Sequence, residues 1–229
     1  MTRLLGNSLL FLLAALTATL FFCALHIGPA EIAFVSTVQQ ILTGQENLHS
    51  LILLEIRLPR ALLALTVGAT LGMAGAALQG LLRNPLAGPG LVGVSNCAAL
   101  GAVLALYFGL GSLAWFAVPM AGMIGAGLSV LLVFLMAGHN SSVMTLLLAG
   151  VAVNAVASSL ISLALNFAPN PYAMSEMVFW LLGSIANRSL GDFYLALPFM
   201  LLGWVFILLG GRFLTALSLG EETAQSLGF

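Results

Sequence analysis

Between Arg83 and Glu176 the chain runs for 92 residues without an Asp, Glu, Lys or Arg. Shorter charge-free runs flank it: 27 residues between Arg3 and Glu31, 22 between Arg60 and Arg83, and 19 between Asp192 and Arg212. A helix needs about 20 apolar residues, at roughly 1.5 Å rise each, to cross the hydrocarbon core of a bilayer. Charged residues are 6% of the 229, against 61% hydrophobic, and so few charges cannot coat a water-soluble domain of this size. The chain therefore reads as an all-α, polytopic membrane protein.

Turn signals divide it into about six spans. The first is expected at about 9–25, an uncleaved span with its N-terminus inside, because no small-x-small cleavage site follows the apolar run. Residues 28–50 read as a short amphipathic helix and loop. The second span covers about 51–82 and carries Gly68, Gly72, Ala76 and Gly80 four apart, a ridge that lets helix backbones pack closely. Two prolines and two glycines then make a turn at 83–90. Breaks at 109–113 and 137–142 place further spans at about 91–108, 115–136 and 143–166. A short helix at about 172–183 and a sixth span at about 193–211 follow, and residues 212–229 are polar enough to leave the membrane. This topology puts Arg3, Arg83 and Arg212 inside and Arg57, Arg60 and Arg188 outside, an even split that leaves the outer arginines to be explained.

Composition excludes several chemistries. All six basic residues are Arg. Without lysine there is no G-x-x-x-x-G-K-[ST] phosphate loop, no Schiff base, and no polybasic patch for lipid or nucleic acid. If ATP is used, a separate subunit binds it. Cys23 and Cys97 have no pairing or metal spacing and read as small apolar residues. His26, His49 and His139 lie far apart, and no H-E-x-x-H or G-x-S-x-G motif accompanies them. No catalytic residue, metal site or cofactor is expected.

Five stretches, met in order, are more specific. They are Arg57-Leu58-Pro59-Arg60; Leu78-Gln79 through Leu82-Arg83-Asn84-Pro85-Leu86-Ala87 and on through Pro89 to Ser95; Leu146-Leu147-Leu148-Ala149-Gly150-Val151-Ala152; Phe179-Trp180-Leu181-Leu182-Gly183-Ser184; and Leu219-Gly220-Glu221-Glu222-Thr223-Ala224-Gln225-Ser226-Leu227-Gly228. Together they resemble the permease subunits of the iron-siderophore, haem and cobalamin ABC importers, over nearly the whole chain from about residue 50.

The resemblance implies a membrane-spanning permease domain over 1–229, with residues 213–229 as a cytoplasmic coupling segment. The implied substrate is a metal chelate, a ferric siderophore or a related iron or cobalamin compound. Implied partners are ABC ATPase subunits, a second permease copy or paralogue, and a periplasmic substrate-binding protein, all at the cell inner membrane. No nucleic acid is involved. Arg57 and Arg60 resemble arginines that dock acidic residues of the binding protein, where charge-assisted pairs steer encounter and fix register. They could equally snorkel to the interface or pair with Glu55. Gly220, Glu221, Glu222, Thr223, Ala224, Leu227 and Gly228 resemble the element that enters a cleft of the ATPase. Independently of any family, Gly220 and Gly228 bracket a one- to two-turn helix whose first residues, Glu221 and Glu222, complement its dipole. Gln225 stands where the family often has Arg, which puts one polar contact to the ATPase in question. Asn84, Pro85 and Pro89 belong to a structural turn; Gly88 and Cys97 depart from the usual pattern there without affecting the turn itself. Ser141, Ser142, Val143 and Met144 resemble the segment closing the pathway at the cytoplasmic side. Asn154 within the fifth span either makes an interhelical hydrogen bond or lines the pathway. His139 reads as a solvated interface residue.

Other classes remain as alternatives: an intramembrane enzyme, for which no nucleophile–base set is visible, or a passive channel, for which no selectivity motif or charged ring is visible. Relatives with about ten spans place the coupling segment between the sixth and seventh. The chain is thus expected to lack the C-terminal part of such a permease, and a split-gene or non-functional fragment is a further alternative.

Overall fold

The computed structural model describes residues 2–44, 47–138 and 142–228, and no strand occurs among them. Five helices are long and apolar enough to cross a membrane: Asn7–His26, Leu48–Leu82, Ala117–Ala137, Val143–Asn166 and Leu190–Leu209. A sixth apolar helix, Val94–Tyr107, is shorter. The chain clusters into two compact units, residues 1–69 with 185–200, and residues 70–184 with 201–229.

In the first unit, α1 (Thr2–His26) is apolar from Leu9 to Leu25 apart from Thr17 and Thr19, and displays Leu10, Phe11 and Phe22 outward. A helix apolar all round suits lipid rather than water. The stretch expected to hold one short helix and a loop contains α2 (Phe34–Leu42) and α3 (Leu48–Leu51). Asn47 and Ser50 cap α3 reciprocally: the Ser50 N–H donates to Asn47 Oδ1 and the Asn47 N–H to Ser50 Oγ, both at 2.9 Å. Leu25, Leu53 and Ala61 form the buried centre, with Phe21, Phe34, Val38, Ile41 and Leu58 around them.

From α3 the helix runs without a break through a π-helical turn, Ile52–Arg57, into α4 (Leu58–Leu82). Pro59 supplies the physical reason for the widened turn. It has no N–H to donate and its ring crowds the carbonyl four residues back, so the ladder loosens just before it.

In the second unit, α5 (Val94–Tyr107) is the most enclosed element, with Ala102 and Val103 fully buried. Around it stand α6 (Ala117–Ala137), α7 (Val143–Asn166) and α8 (Pro171–Leu182). Val103 and Leu106 of α5 meet Ile161 of α7 and Met177 of α8 in one core, while Val133, Ala149 and Val153 form another between α6 and α7. The third span, expected over 91–108, is shorter than that. A single 3₁₀ turn occupies Pro89–Val92, and Gly93 at φ 77° starts the helix afresh. Its 14 residues reach about 21 Å, short of the roughly 30 Å hydrocarbon core.

The α5–α6 contact is a backbone contact. A Cβ added to Gly101 would come within 2.2 Å of the Ala121 carbonyl oxygen, and one added to Gly125 within 2.2 Å of the Cys97 carbonyl oxygen. The ridge expected on α4 is different: a Cβ on Gly68 or Gly72 would meet nothing within 4 Å among the described residues.

The chain continues as α9 (Leu190–Leu209), α10 (Gly211–Ser218) and α11 (Glu221–Ser226). Ser189 and Asp192 cap the start of α9, the Ser189 N–H donating to Asp192 Oδ2 at 2.9 Å.

Candidate functional site

The turn after α4 is built by its own side chains. Arg83 takes the left-handed conformation, φ 50°, just past the helix end, and the Asn84 N–H donates to the Gln79 carbonyl at 3.3 Å. Asn84 Oδ1 then accepts from the Leu86 N–H at 2.9 Å, and Gln79 Nε2 donates to the Pro85 carbonyl at 3.0 Å. Ala87 is buried, and Pro89 opens the 3₁₀ turn. Gly93 completes the descent onto α7, where a Cβ on it would stand 2.8 Å from the Gly150 carbonyl oxygen and 3.1 Å from Asn154 N. Only glycine allows both that φ and that approach.

The tail is two short helices joined at Gly220, whose φ 119° and ψ 149° suit glycine alone. Leu219 and Gly220 donate their N–H groups to the Ala216 and Leu217 carbonyls at 3.1 and 3.0 Å, closing α10. Gly228, at φ 85°, donates to the Gln225 carbonyl at 3.1 Å and ends α11. Ala224 is buried, whereas Glu222, Thr223 and Leu227 face outward. The turn and the tail meet: Arg83 Nη1 lies 3.5 Å from where a Cβ on Gly220 would stand. Both are expected at the cytoplasmic side, and no signal in the sequence joins them.

The two outer arginines part company. Arg57 is buried and donates through Nη1 to the Leu25 and His26 carbonyls at 3.0 and 2.6 Å, and through Nη2 to the Ala30 carbonyl. It therefore caps the C-terminal end of α1, where a cation is favoured by the helix dipole. Gly28 makes room for it, since a Cβ there would fall 2.8 Å from Nη2. Arg60 is exposed. In a regular helix residues three apart share a face, yet the Arg57 side chain turns inward to the end of α1 while Arg60 does not. Of the two arginines expected to dock a binding protein, Arg60 presents its side chain at the surface and Arg57 does not.

Of the segment expected to close a pathway, Ser141 lies outside the described residues, as does His139. Ser142 caps α7, accepting from the Thr145 N–H at 3.3 Å; Val143 begins the helix and Met144 is exposed. Asn154 is half-buried, and among the described residues its side-chain amide makes no hydrogen bond. The α5–α7 side-chain bond comes one turn further on, from Asn96 Nδ2 to Ser158 Oγ at 2.8 Å, with Ser158 Oγ donating to the Asn154 carbonyl at 2.9 Å. A second unforeseen bond joins α9 to α4, from Trp204 Nε1 to Thr70 Oγ1 at 3.0 Å. Neither pair belongs to a motif, and residues 62 and 134 positions apart carry no local signal. Among the described residues no group of three or more His, Cys, Asp or Glu is placed to hold a metal ion.

Comparison with known proteins adds the following. The model of the FecCD transport family matches residues 15–229. The ABC transporter permease protein YvrB of Bacillus subtilis (strain 168) is 40% identical over 190 residues, covering 81% of this chain and 53% of YvrB. The iron(3+)-hydroxamate import system permease protein FhuG of the same organism is 32% identical over 220 residues, 93% of this chain and 65% of FhuG. The vitamin B12 import system permease protein BtuC of Salmonella paratyphi A is 36% identical over 174 residues, 76% of this chain and 53% of BtuC. The chain thus spans between half and two thirds of the length of these relatives. Among solved structures, a metal-chelate type ABC transporter in an inward-facing conformation superposes with a TM-score of 0.80 at 31% identity, covering 97% of this chain and 67% of that one.

Proposed function

Since this chain belongs to the FecCD transport family, we propose that it supplies helices to the permease of an ABC importer for a ferric siderophore or a related iron- or cobalamin-type chelate. ATP is hydrolysed on a separate subunit, and the chain performs no covalent chemistry. The observation that carries this reading is the tail. Two short helices held by glycine turns present Glu222, Thr223 and Leu227 outward, and their link at Gly220 comes beside Arg83 at the end of α4. A compact polar projection with one apolar side chain is suited to enter a cleft in a partner subunit and be pushed by it.

In this reading residues 213–229 face the cytoplasm of a multi-pass inner-membrane protein and couple it to the ATPase, while a second permease copy or paralogue completes the pathway. Arg60 contributes to docking of a periplasmic binding protein, and Arg57 shapes that surface by holding the end of α1. Ser142, Val143 and Met144 belong to the gate and Asn154 to the pathway wall; its unengaged amide supports that choice over the interhelical bond.

Co-purification with the ABC ATPase subunit tests the coupling assignment. Deletion of residues 213–229 should abolish association, and an unaffected complex would show the assignment to be wrong. For docking, Arg60→Glu should weaken binding-protein association, most strongly at low salt. Equal affinity at every salt concentration removes Arg60 from the interface.

A further inference from the structure

We propose that Arg83 is a positioning residue that latches the tail to the end of α4, so that α4 and α9–α11 move as one strut. The proposal rests on residues 213–229 being the coupling segment.

The first observation is a residue in an unfavourable place. Arg83 sits at the left-handed position that ends a helix, φ 50°, where glycine is the ordinary occupant because a Cβ is disfavoured there. Glycine is plentiful nearby at 80, 88 and 90. An arginine kept at that position points to its side chain as the reason.

That side chain reaches the tail. Nη1 stands beside Gly220, at the link between α10 and α11. Arg83 is exposed, and it follows the C-terminus of α4 directly, an end whose carbonyls favour a cation. Gly220 cannot take a side chain without strain at φ 119°, and a side chain there would crowd Arg83.

Two more contacts extend the line. Trp204 Nε1 donates to Thr70 Oγ1 at 3.0 Å, and a Cβ on Gly80 would lie 3.9 Å from the Leu214 carbonyl oxygen. Positions 70, 80 and 83 thus approach 204, 214 and 220 in the same order along the two segments. The covalent route from α9 to α11 passes through Gly210, Gly211 and Gly220, residues with little torsional stiffness of their own. A lateral attachment at Arg83 makes that route rigid, and a push on α11 reaches α4 as well as α9.

Paired spin labels on the purified full chain test this. Leu71→Cys and Ser226→Cys, both exposed positions, are labelled in a Cys23→Ala, Cys97→Ala background, and the distance distribution between them is measured. With Arg83 in place the distribution should be narrow. Arg83→Gly should lose that narrow peak while leaving the unfolding temperature unchanged or raised, because glycine relieves the backbone strain; Arg83→Lys should retain most of it. An equally narrow distribution in Arg83→Gly overturns the latch. The ATPase result is separable. If the tail deletion still binds the ATPase, the coupling reading fails while the latch stands; if deletion releases the ATPase and Arg83→Gly leaves the peak unchanged, only the latch fails.

Discussion

Two ridges of small residues run through this molecule, and they have opposite fates. On α4, Gly68, Gly72, Ala76 and Gly80 are spaced by four, and a Cβ on Gly68 or Gly72 would meet empty space among the described residues. On α5 and α6, Cys97 and Gly101 face Ala121 and Gly125 so closely that each glycine presses on a carbonyl oxygen of the other helix. The more regular pattern is open over Gly68 and Gly72 and meets a neighbour, the Leu214 carbonyl, only at Gly80. Small residues grant permission for close approach, and they do not supply the partner. What draws α5 in is the apolar core on its other flank, where Val103 and Leu106 pack with Ile161 and Met177.

Substitutions can break that contrast. Gly125→Val has the largest expected effect, because its Cβ would have to displace backbone and not a flexible side chain. It should cost about 3 kcal/mol or prevent assembly of α5 on α6, read as a lowered unfolding temperature of the purified protein. Trp204→Phe keeps an aromatic side chain, smaller than the indole, and deletes the donor that bonds Thr70 of α4. A loss of about 1 kcal/mol is expected, and no change would mean that the bond contributes nothing beyond ring packing. Gly72→Ala should be smallest and of opposite sign, a gain of up to about 1 kcal/mol from helix propensity. A destabilisation there as large as that of Gly125→Val would erase the distinction between the ridges.

The two arginines of Arg57-Leu58-Pro59-Arg60 teach the same lesson on a smaller scale. Their spacing puts them on one face of a regular helix, and the motif carries both as a pair. Pro59 loosens the turn ahead of it, and Arg57, which closes that π turn, reaches three carbonyls at and just beyond the α1 end while Arg60 stays outside. The proline was visible; the direction in which the helix would relax was not, because it depends on where α1 ends. Asn154 behaves alike. Polarity within an apolar helix announces a residue with a task, yet the α5–α7 bond belongs to Asn96 and Ser158, chosen by how Gly93 lowers the preceding turn onto α7.

Much of the architecture was nonetheless readable from residue order. Charge-free runs marked the spans, since burying charge in lipid is costly wherever the helix stands. Prolines and glycines marked the breaks at 83–90, 109–113 and 166–171, because their torsional limits act within a few residues. The bracketing of α11 by Gly220 and Gly228 follows from the same local rule, as does the motif order that marks the family. These features depend on neighbours in sequence or on the membrane as solvent, and so they survive without knowledge of the packing. Which ridge is filled, which arginine is buried, and that Arg83 comes beside Gly220 all involve partners distant along the chain. Such pairings emerge when the apolar cores close, for backbone approach and hydrogen-bond reach are settled over tenths of an ångström that residue order does not encode.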